Sequence, residues 1–206
     1  MKMFRKVTIA VLFAALMIPA GFSTDAAESQ ATQKAYKVGD AIEPFTLQCQ
    51  EGKEHDLSKN LGKKIIVLDF WNCQCPVSRG FENQLKEIAQ KYSEKDVVFY
   101  AIDSNTNNSV ELIQKYAKDQ KLKYPVLKDW ENKIADKFDA AVTPEVFVIG
   151  KDKKIHYHGA ISNNQNASKV EKHYLADALD SLIAGKPVEV KEIKAFGCTI
   201  KRVSQN

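Results

Sequence analysis

The residues best placed to do chemistry lie in the segment Asp69-Phe-Trp-Asn-Cys-Gln-Cys-Pro-Val-Ser78. Cys73 and Cys75 stand one residue apart, and Pro76 follows at once. A cysteine reacts as its thiolate, so the setting that matters is one favouring negative charge on sulfur. The start of a helix is such a setting, because its first backbone N–H groups are unpaired and its dipole end is positive. Pro76 suits a first helical position, and Val77, Phe81, Leu85, Ile88 and Tyr92 then recur at helical spacing. Cys75 is therefore the candidate nucleophile. Cys73 either pairs with it or supports it without pairing, and a disulfide closing so small a ring would be strained and easily reduced. Asp69 sits on the apolar run just upstream, where desolvation raises a carboxyl pKa.

The elements that must hold this segment can be read from hydrophobic period. Lys64-Ile-Ile-Val-Leu-Asp-Phe70 is a continuous apolar run, the pattern of a central buried strand. Chemistry in open α/β sheets gathers at the carboxyl ends of such strands, which is where Cys75 falls. Val97–Ile102 predicts the next strand, and Val110, Ile113, Tyr116 and Ala117 a helix opened by the Asn/Ser-rich stretch 105–109. A short extended piece at Tyr124–Leu127 and a short helix within Asp129–Phe138 follow. Phe45–Gln48 and Lys53–Leu57 flank Glu51-Gly52 as one hairpin, and Glu145–Ile149 and Lys154–His158 flank Gly150–Lys153 as another. Val170, Tyr174, Leu175, Ala178, Leu179 and Leu182 predict a last helix, ended by Gly185 and Pro187. The alternation implies an α/β fold, a mixed sheet with helices on both faces.

The chain has 206 residues, 44% hydrophobic and 27% charged, enough for one domain with its own core. Its formal charge of +4 is concentrated at the start: without residues 1–27, 27 basic residues face 25 acidic ones. With no Lys/Arg block in the body, nucleic acid is not an expected partner. Lys2, Arg5 and Lys6 precede the apolar run Val7–Ile18, which Pro19 and Gly21 break, so 1–27 reads as a secretory signal. The expected mature protein is exported, periplasmic or extracellular, without stable membrane association after cleavage. A redox-active disulfide can persist there. One domain is expected over 36–187, with an extension over 188–206 that carries Cys198.

The segment resembles the thioredoxin-fold redoxins, the superfamily of thioredoxins, exported thiol-disulfide oxidoreductases and peroxiredoxins of the AhpC/TSA type. Asp69-Phe70-Trp71 is similar to the run before the thioredoxin active site, and Cys75 falls at its nucleophile. Val142-Thr143-Pro144-Glu145-Val146 looks like the family's cis-proline segment, which packs against the active-site sulfur. The resemblance spans about Val38 to Ile183 and implies a thioredoxin-like fold that needs no cofactor. It also implies that Asp69 exchanges protons with the attacking thiol, the rival reading being a structural carboxyl. Trp71 and Thr143 would line the substrate disulfide, and the partners would be protein or small-molecule thiols and disulfides. Two departures bear on function. Ser78 stands where thioredoxins carry their second cysteine, so the usual Cys-x-x-Cys cycle is closed to this chain. Asn72 stands where peroxiredoxins carry Thr or Ser, which leaves peroxide reduction at Cys75 as the alternative activity.

A mobile cysteine in the extension is the usual design of a resolving thiol, and some exported redoxin-like proteins share the Gly-Cys-x-Ile ending seen at Gly197–Ile200. Cys198 is accordingly expected either to resolve Cys75 or to form a structural bridge with Cys49. Phe196 and Ile200 could anchor the extension on the domain. His156 and His158 alternate along a strand and read as solvent-facing residues of an edge strand. A copper-binding module using Cys73, Cys75 and a histidine is the alternative from another class; no metal site is assigned.

Overall fold

The structure, a computed structural model, describes residues 34–204. The expected signal segment lies outside the described residues. In chain order the strands are β1 (Thr46–Cys49), β2 (Glu54–Asp56), β3 (Ile65–Phe70), β4 (Val97–Asp103), β5 (Val126–Lys128), β6 (Val142–Thr143), β7 (Glu145–Ile149), β8 (Ile155–Gly159), β9 (Glu192–Ile193) and β10 (Cys198–Thr199). The helices are α1 (Pro76–Tyr92), α2 (Val110–Asp119), α3 (Lys133–Phe138) and α4 (Tyr174–Ile183).

β3 occupies the centre, as its unbroken apolar run requires, and all six of its residues are buried. It runs parallel to β4 and antiparallel to β7 within an eight-stranded mixed sheet of order β2-β1-β5-β4-β3-β7-β8-β9. Because side chains alternate along a strand, β3 feeds two cores. Ile65 and Val67 join Phe81, Leu85 and Tyr92 of α1 and Leu175 and Leu179 of α4 on one face. Ile66, Leu68 and Phe70 join Phe138 of α3 on the other. Helices therefore cover both faces of a thioredoxin-like sheet.

The helices start where local chemistry allows. Cys75 is the N-cap of α1 with Pro76 next, and Ser109 caps α2 by accepting the Leu112 N–H at 3.2 Å. α4 begins at Tyr174, later than the apolar spacing from Val170 suggests. Residues 167–169 instead make a short turn capped by Asn166, and Val170 is extended. The expected edge strand is also corrected. β9 runs parallel to β8 with His158 opposite Glu192, so β8 is an inner strand and His158 is half-buried. Gly159 permits this approach, since a Cβ there would lie 1.9 Å from the Ile193 carbonyl oxygen.

Candidate active site

Cys75 leaves β3 and enters α1 with extended backbone angles, φ −80° and ψ 118°. That turn aims its sulfur at the helix start, where it accepts the Ser78 N–H at 3.4 Å. The Thr143 carbonyl oxygen lies 3.1 Å from the same sulfur. Thr143 precedes Pro144 through a cis peptide bond. Cys75 is disulfide-bonded to Cys198 across 123 residues, with Cα atoms 5.9 Å apart. Cys49 and Cys73 are buried and unpaired. Neither the small Cys73–Cys75 ring nor the Cys49–Cys198 bridge forms.

The extension reaches Cys75 as an added strand. β10 pairs antiparallel with β6, Cys198 opposite Thr143 and Thr199 opposite Val142. Past the pair, the Ile200 N–H donates to the Ala141 carbonyl at 3.0 Å, and the Lys201 N–H to Asn105 Oδ1 at 3.0 Å. Thr106 donates back to the Lys201 carbonyl at 2.9 Å, and the Val203 N–H reaches Asn132 Oδ1 at 2.8 Å. Ile200 is buried in the core beside α3, and the Phe196 ring lies 5.6 Å from that of Phe81. Phe196 and Ile200 therefore both touch the domain.

Beneath α1 the site holds two carboxyls. Asp69 is fully buried, and neither of its oxygens has a hydrogen-bond partner; the buried Ser78 hydroxyl has none either. Burial, reinforced by the nearby charge of Glu82, pushes the Asp69 pKa well above the usual carboxylate range. Glu82 accepts the Trp71 indole N–H at 3.2 Å and the Tyr124 hydroxyl at 3.1 Å. Its pKa is also raised, by burial. Trp71 is fully buried, with its ring 5.3 Å from that of Tyr116. Its neighbours are Glu82, Tyr116 and Asn105, whose amide donates to the Trp71 carbonyl at 3.4 Å.

Cys73 sits over a buried polar network. Asp103 accepts Lys128 Nζ at 2.9 Å with both side chains almost wholly buried, and also accepts the Asn108 amide. Asn108 donates on to Asn72 Oδ1 at 3.0 Å, and the same oxygen accepts the Gln74 N–H at 2.8 Å. The Asn72 carbonyl group is thus spent on shaping the turn. Burial, then the Asp103 charge, pushes the Cys73 thiol up to about 11.

On the other side of Pro144, Glu145 accepts the N–H groups of Ala141 and Val142 at 2.8 and 3.1 Å, and His158 Nε2 at 2.6 Å. His158 stacks on Phe147 and faces Glu192 with its second nitrogen at 3.4 Å. His156 pairs with Asp152. Among the described residues no three His, Cys, Asp or Glu side chains are grouped to hold a metal ion. Of the groups in the copper alternative, Cys75 is bonded to Cys198, and His156 and His158 pair with Asp152 and Glu145, while Cys73 is unpaired. A cavity of about 1010 Å³ lies by Ile65 and Pro187, at the opposite end of β3 from Cys75.

Sequence reasoning gave no role to Glu82, Glu145 or the Asp103–Lys128 network, and it named Gly197 only within the Gly-Cys-x-Ile ending. Glu82 carries no signal beyond its place next to Phe81 on the buried face of α1.

Comparison with known proteins matches residues 38–158 to the AhpC/TSA family. The chain belongs to that family. It is a thioredoxin-fold redoxin and, with its family, an oxidoreductase. It is 29% identical over 125 residues to a thiol-disulfide oxidoreductase ResA of Bacillus cereus, a match covering 61% of this chain and 70% of the relative. The crystal structure of an uncharacterized conserved protein from Geobacillus kaustophilus superposes with a TM-score of 0.77 at 27% identity, covering 83% of this redoxin and 95% of that chain. A hypothetical protein from Sinorhizobium meliloti 1021 shares the fold, with a TM-score of 0.76 at 23% identity over 84% of this redoxin and 98% of that chain.

Proposed function

We propose that this redoxin exchanges thiols and disulfides through a Cys75–Cys198 couple, on a domain spanning 36–187 with an extension over 188–206. The carrying observation is the bond between the sulfur at the start of α1 and the sulfur of the extension. In the reducing direction the Cys75 thiolate attacks a client disulfide. The client S–S bond breaks, a Cys75–client bond forms, and the other client sulfur leaves and takes a proton. Cys198 then attacks Cys75, expels the second client sulfur and closes the intramolecular disulfide. Two electrons and two protons pass to the client, and the same steps run backwards in oxidation.

The Ser78 N–H and the α1 dipole favour the Cys75 thiolate. Asp69, kept protonated by burial, is the proton carrier in this reading, and Pro144 and Thr143 border the attacking sulfur. Cys73 is the poorer resolving thiol, since a pKa of about 11 leaves it almost wholly protonated at neutral pH. The relatives named thiol-disulfide oxidoreductase support the same activity. Peroxide reduction is less well supported, because Asn72 offers no hydroxyl and its side-chain oxygen is already occupied. Export fits a disulfide-based cycle and the basic-then-apolar segment 1–27. No helix among the described residues is long and apolar enough to cross a membrane.

Alkylation of the reduced protein against pH tests the reading. Cys75 should titrate clearly below the free thiol value of about 8.5. Cys75→Ser should abolish exchange, and Cys198→Ser should accumulate mixed disulfides on Cys75. Retention of full exchange activity by Cys75→Ser would refute it.

A further inference from the structure

The extension does more at Cys75 than deliver a sulfur: it occupies the backbone edge of β6 as a peptide would. Cys198 and Thr199 pair with Thr143 and Val142 in register, and Ile200 continues the ladder to the Ala141 carbonyl before burying its side chain. The approach just before the cysteine is the tightest point. A Cβ on Gly197 would lie 1.9 Å from the Thr143 carbonyl oxygen and 2.6 Å from its carbon. Both are backbone atoms of β6, beside the Cys75 sulfur, so they cannot swing aside as a side chain could. Only glycine passes there while the next residue keeps its sulfur on Cys75.

We infer that Gly197-Cys198-Thr199-Ile200 is an internal substrate, and that the external client is an extended polypeptide presenting Gly-Cys-x-aliphatic to the same edge. This rests on the thiol-disulfide reading above and adds the client's class and its sequence. Strand addition supplies affinity through backbone hydrogen bonds, while the pocket and the steric gate supply selectivity. The glycine gate selects by excluding a methyl group, and the site of Ile200 selects by burying an aliphatic one.

The arrangement has a mechanistic consequence. Client and extension need one edge, so they cannot be docked together. When Cys198 attacks the mixed disulfide, the extension takes back β6 strand for strand. Resolution and eviction of the client are then a single event, with no separate release step.

The test uses the full-length Cys198→Ser protein, reduced, with three peptides carrying their cysteine as a mixed disulfide with thionitrobenzoate. One has the sequence Lys-Ala-Phe-Gly-Cys-Thr-Ile-Lys; the second replaces Gly by Ala, and the third replaces Ile by Asp. Hydroxyethyl disulfide serves as a small substrate without a backbone to dock. The Gly-Cys-Thr-Ile peptide should load Cys75 about tenfold or more faster than the other two, the order of effect expected from forcing a methyl into an occupied site or a charge into an apolar one. Adding Gly197→Ala to Cys198→Ser should loosen the internal competitor and speed loading of that peptide, with hydroxyethyl disulfide changing less. Equal rates for all three peptides, or no acceleration by Gly197→Ala, would overturn the inference while leaving the exchange reading intact. Failure of hydroxyethyl disulfide and of all three peptides to load Cys75 would instead remove the reading beneath it.

Discussion

Cys198 faces Thr143 backbone to backbone, and the Thr143 carbonyl oxygen in turn lies 3.1 Å from the sulfur to which Cys198 is bonded. One residue thus presents its backbone to both partners of the disulfide. The covalent link and the added strand therefore hold the same segment by independent means. Reduction removes one of them and leaves the other.

The disulfide closes a loop that takes in most of the domain, so its loss should be felt globally. Reducing the protein, or replacing Cys198 by Ser, should lower unfolding free energy by about 2–5 kcal/mol, the usual range for a long closed loop. Denaturant titration with and without reductant gives the difference. Hydrogen exchange at the Ile200, Lys201 and Val203 amides should quicken on reduction yet stay slower than in a free peptide, since their acceptors Ala141, Asn105 and Asn132 remain. Free-peptide rates in the reduced state would show that the added strand depends wholly on the covalent bond.

Asp69 is expected to cost stability. Its buried oxygens lack partners, and replacement by an apolar group of similar size removes that penalty. Asp69→Leu should therefore gain about 1–3 kcal/mol while slowing exchange. The gain has a predictable pH dependence. The unfolded carboxyl ionises around 3.8, whereas the folded one holds its proton well above that value. The advantage of the variant should grow as pH rises through this interval and level off above the folded pKa. Urea unfolding at pH 4 and pH 8 tests it, and equal gains at both would show that Asp69 titrates normally in the folded protein.

How much of this arrangement could be read in advance depended on whether the signal was local. β3, α1 and the β7–β8 hairpin announce themselves through hydrophobic period, and Cys75 through its place between a buried strand and a proline. The partner of Cys75 did not, because four cysteines in sequence carry no distances. Cys73 and Cys198 are both open as its partner, with Cys49 a rival partner for Cys198, until the extension lies along β6. Trp71 is open for the related reason that an indole beside an active-site motif reads alike whether it faces a groove or a core. Glu145 and His158 stand 13 residues apart on neighbouring strands, so only the β7–β8 register brings them together.

That pair makes a third prediction. Burial alone would lower the His158 pKa, but the hydrogen bond and charge of Glu145, with Glu192 beyond, outweigh it and raise it. For Glu145, burial opposes a lowering that His158 and the Ala141 and Val142 N–H groups achieve. The histidine's contribution is complete below its unfolded value near 6.5 and disappears as pH rises through its raised folded pKa. Glu145's contribution is present above about 4.5 and is lost as pH falls through its lowered folded value. Stability should thus decline on the alkaline side of pH 6.5, and His158→Gln should flatten that decline. Thermal melts from pH 5 to 9 give the comparison; an unchanged profile in the variant would mean that His158 titrates alike folded and unfolded.

The buried pair of Asp103 and Lys128 should act on Cys73 with opposite signs. Burial is the main reason the Cys73 thiol stands near 11, with the Asp103 charge raising it further and Lys128 lowering it. Asp103→Asn should therefore bring the Cys73 pKa down and Lys128→Met should push it up, although burial keeps the thiol protonated at neutral pH in both. Each variant also leaves its partner charge uncompensated in the interior, at a cost of about 3–5 kcal/mol. Destabilisation alone would expose Cys73 and speed its alkylation in both proteins. The electrostatic account instead requires faster alkylation in Asp103→Asn and slower alkylation in Lys128→Met at a fixed pH near 9. Mass-spectrometric counting of label on Cys73, in full-length protein with Cys75 and Cys198 oxidised, separates the two, and acceleration in both variants would assign the effect to unfolding rather than to charge.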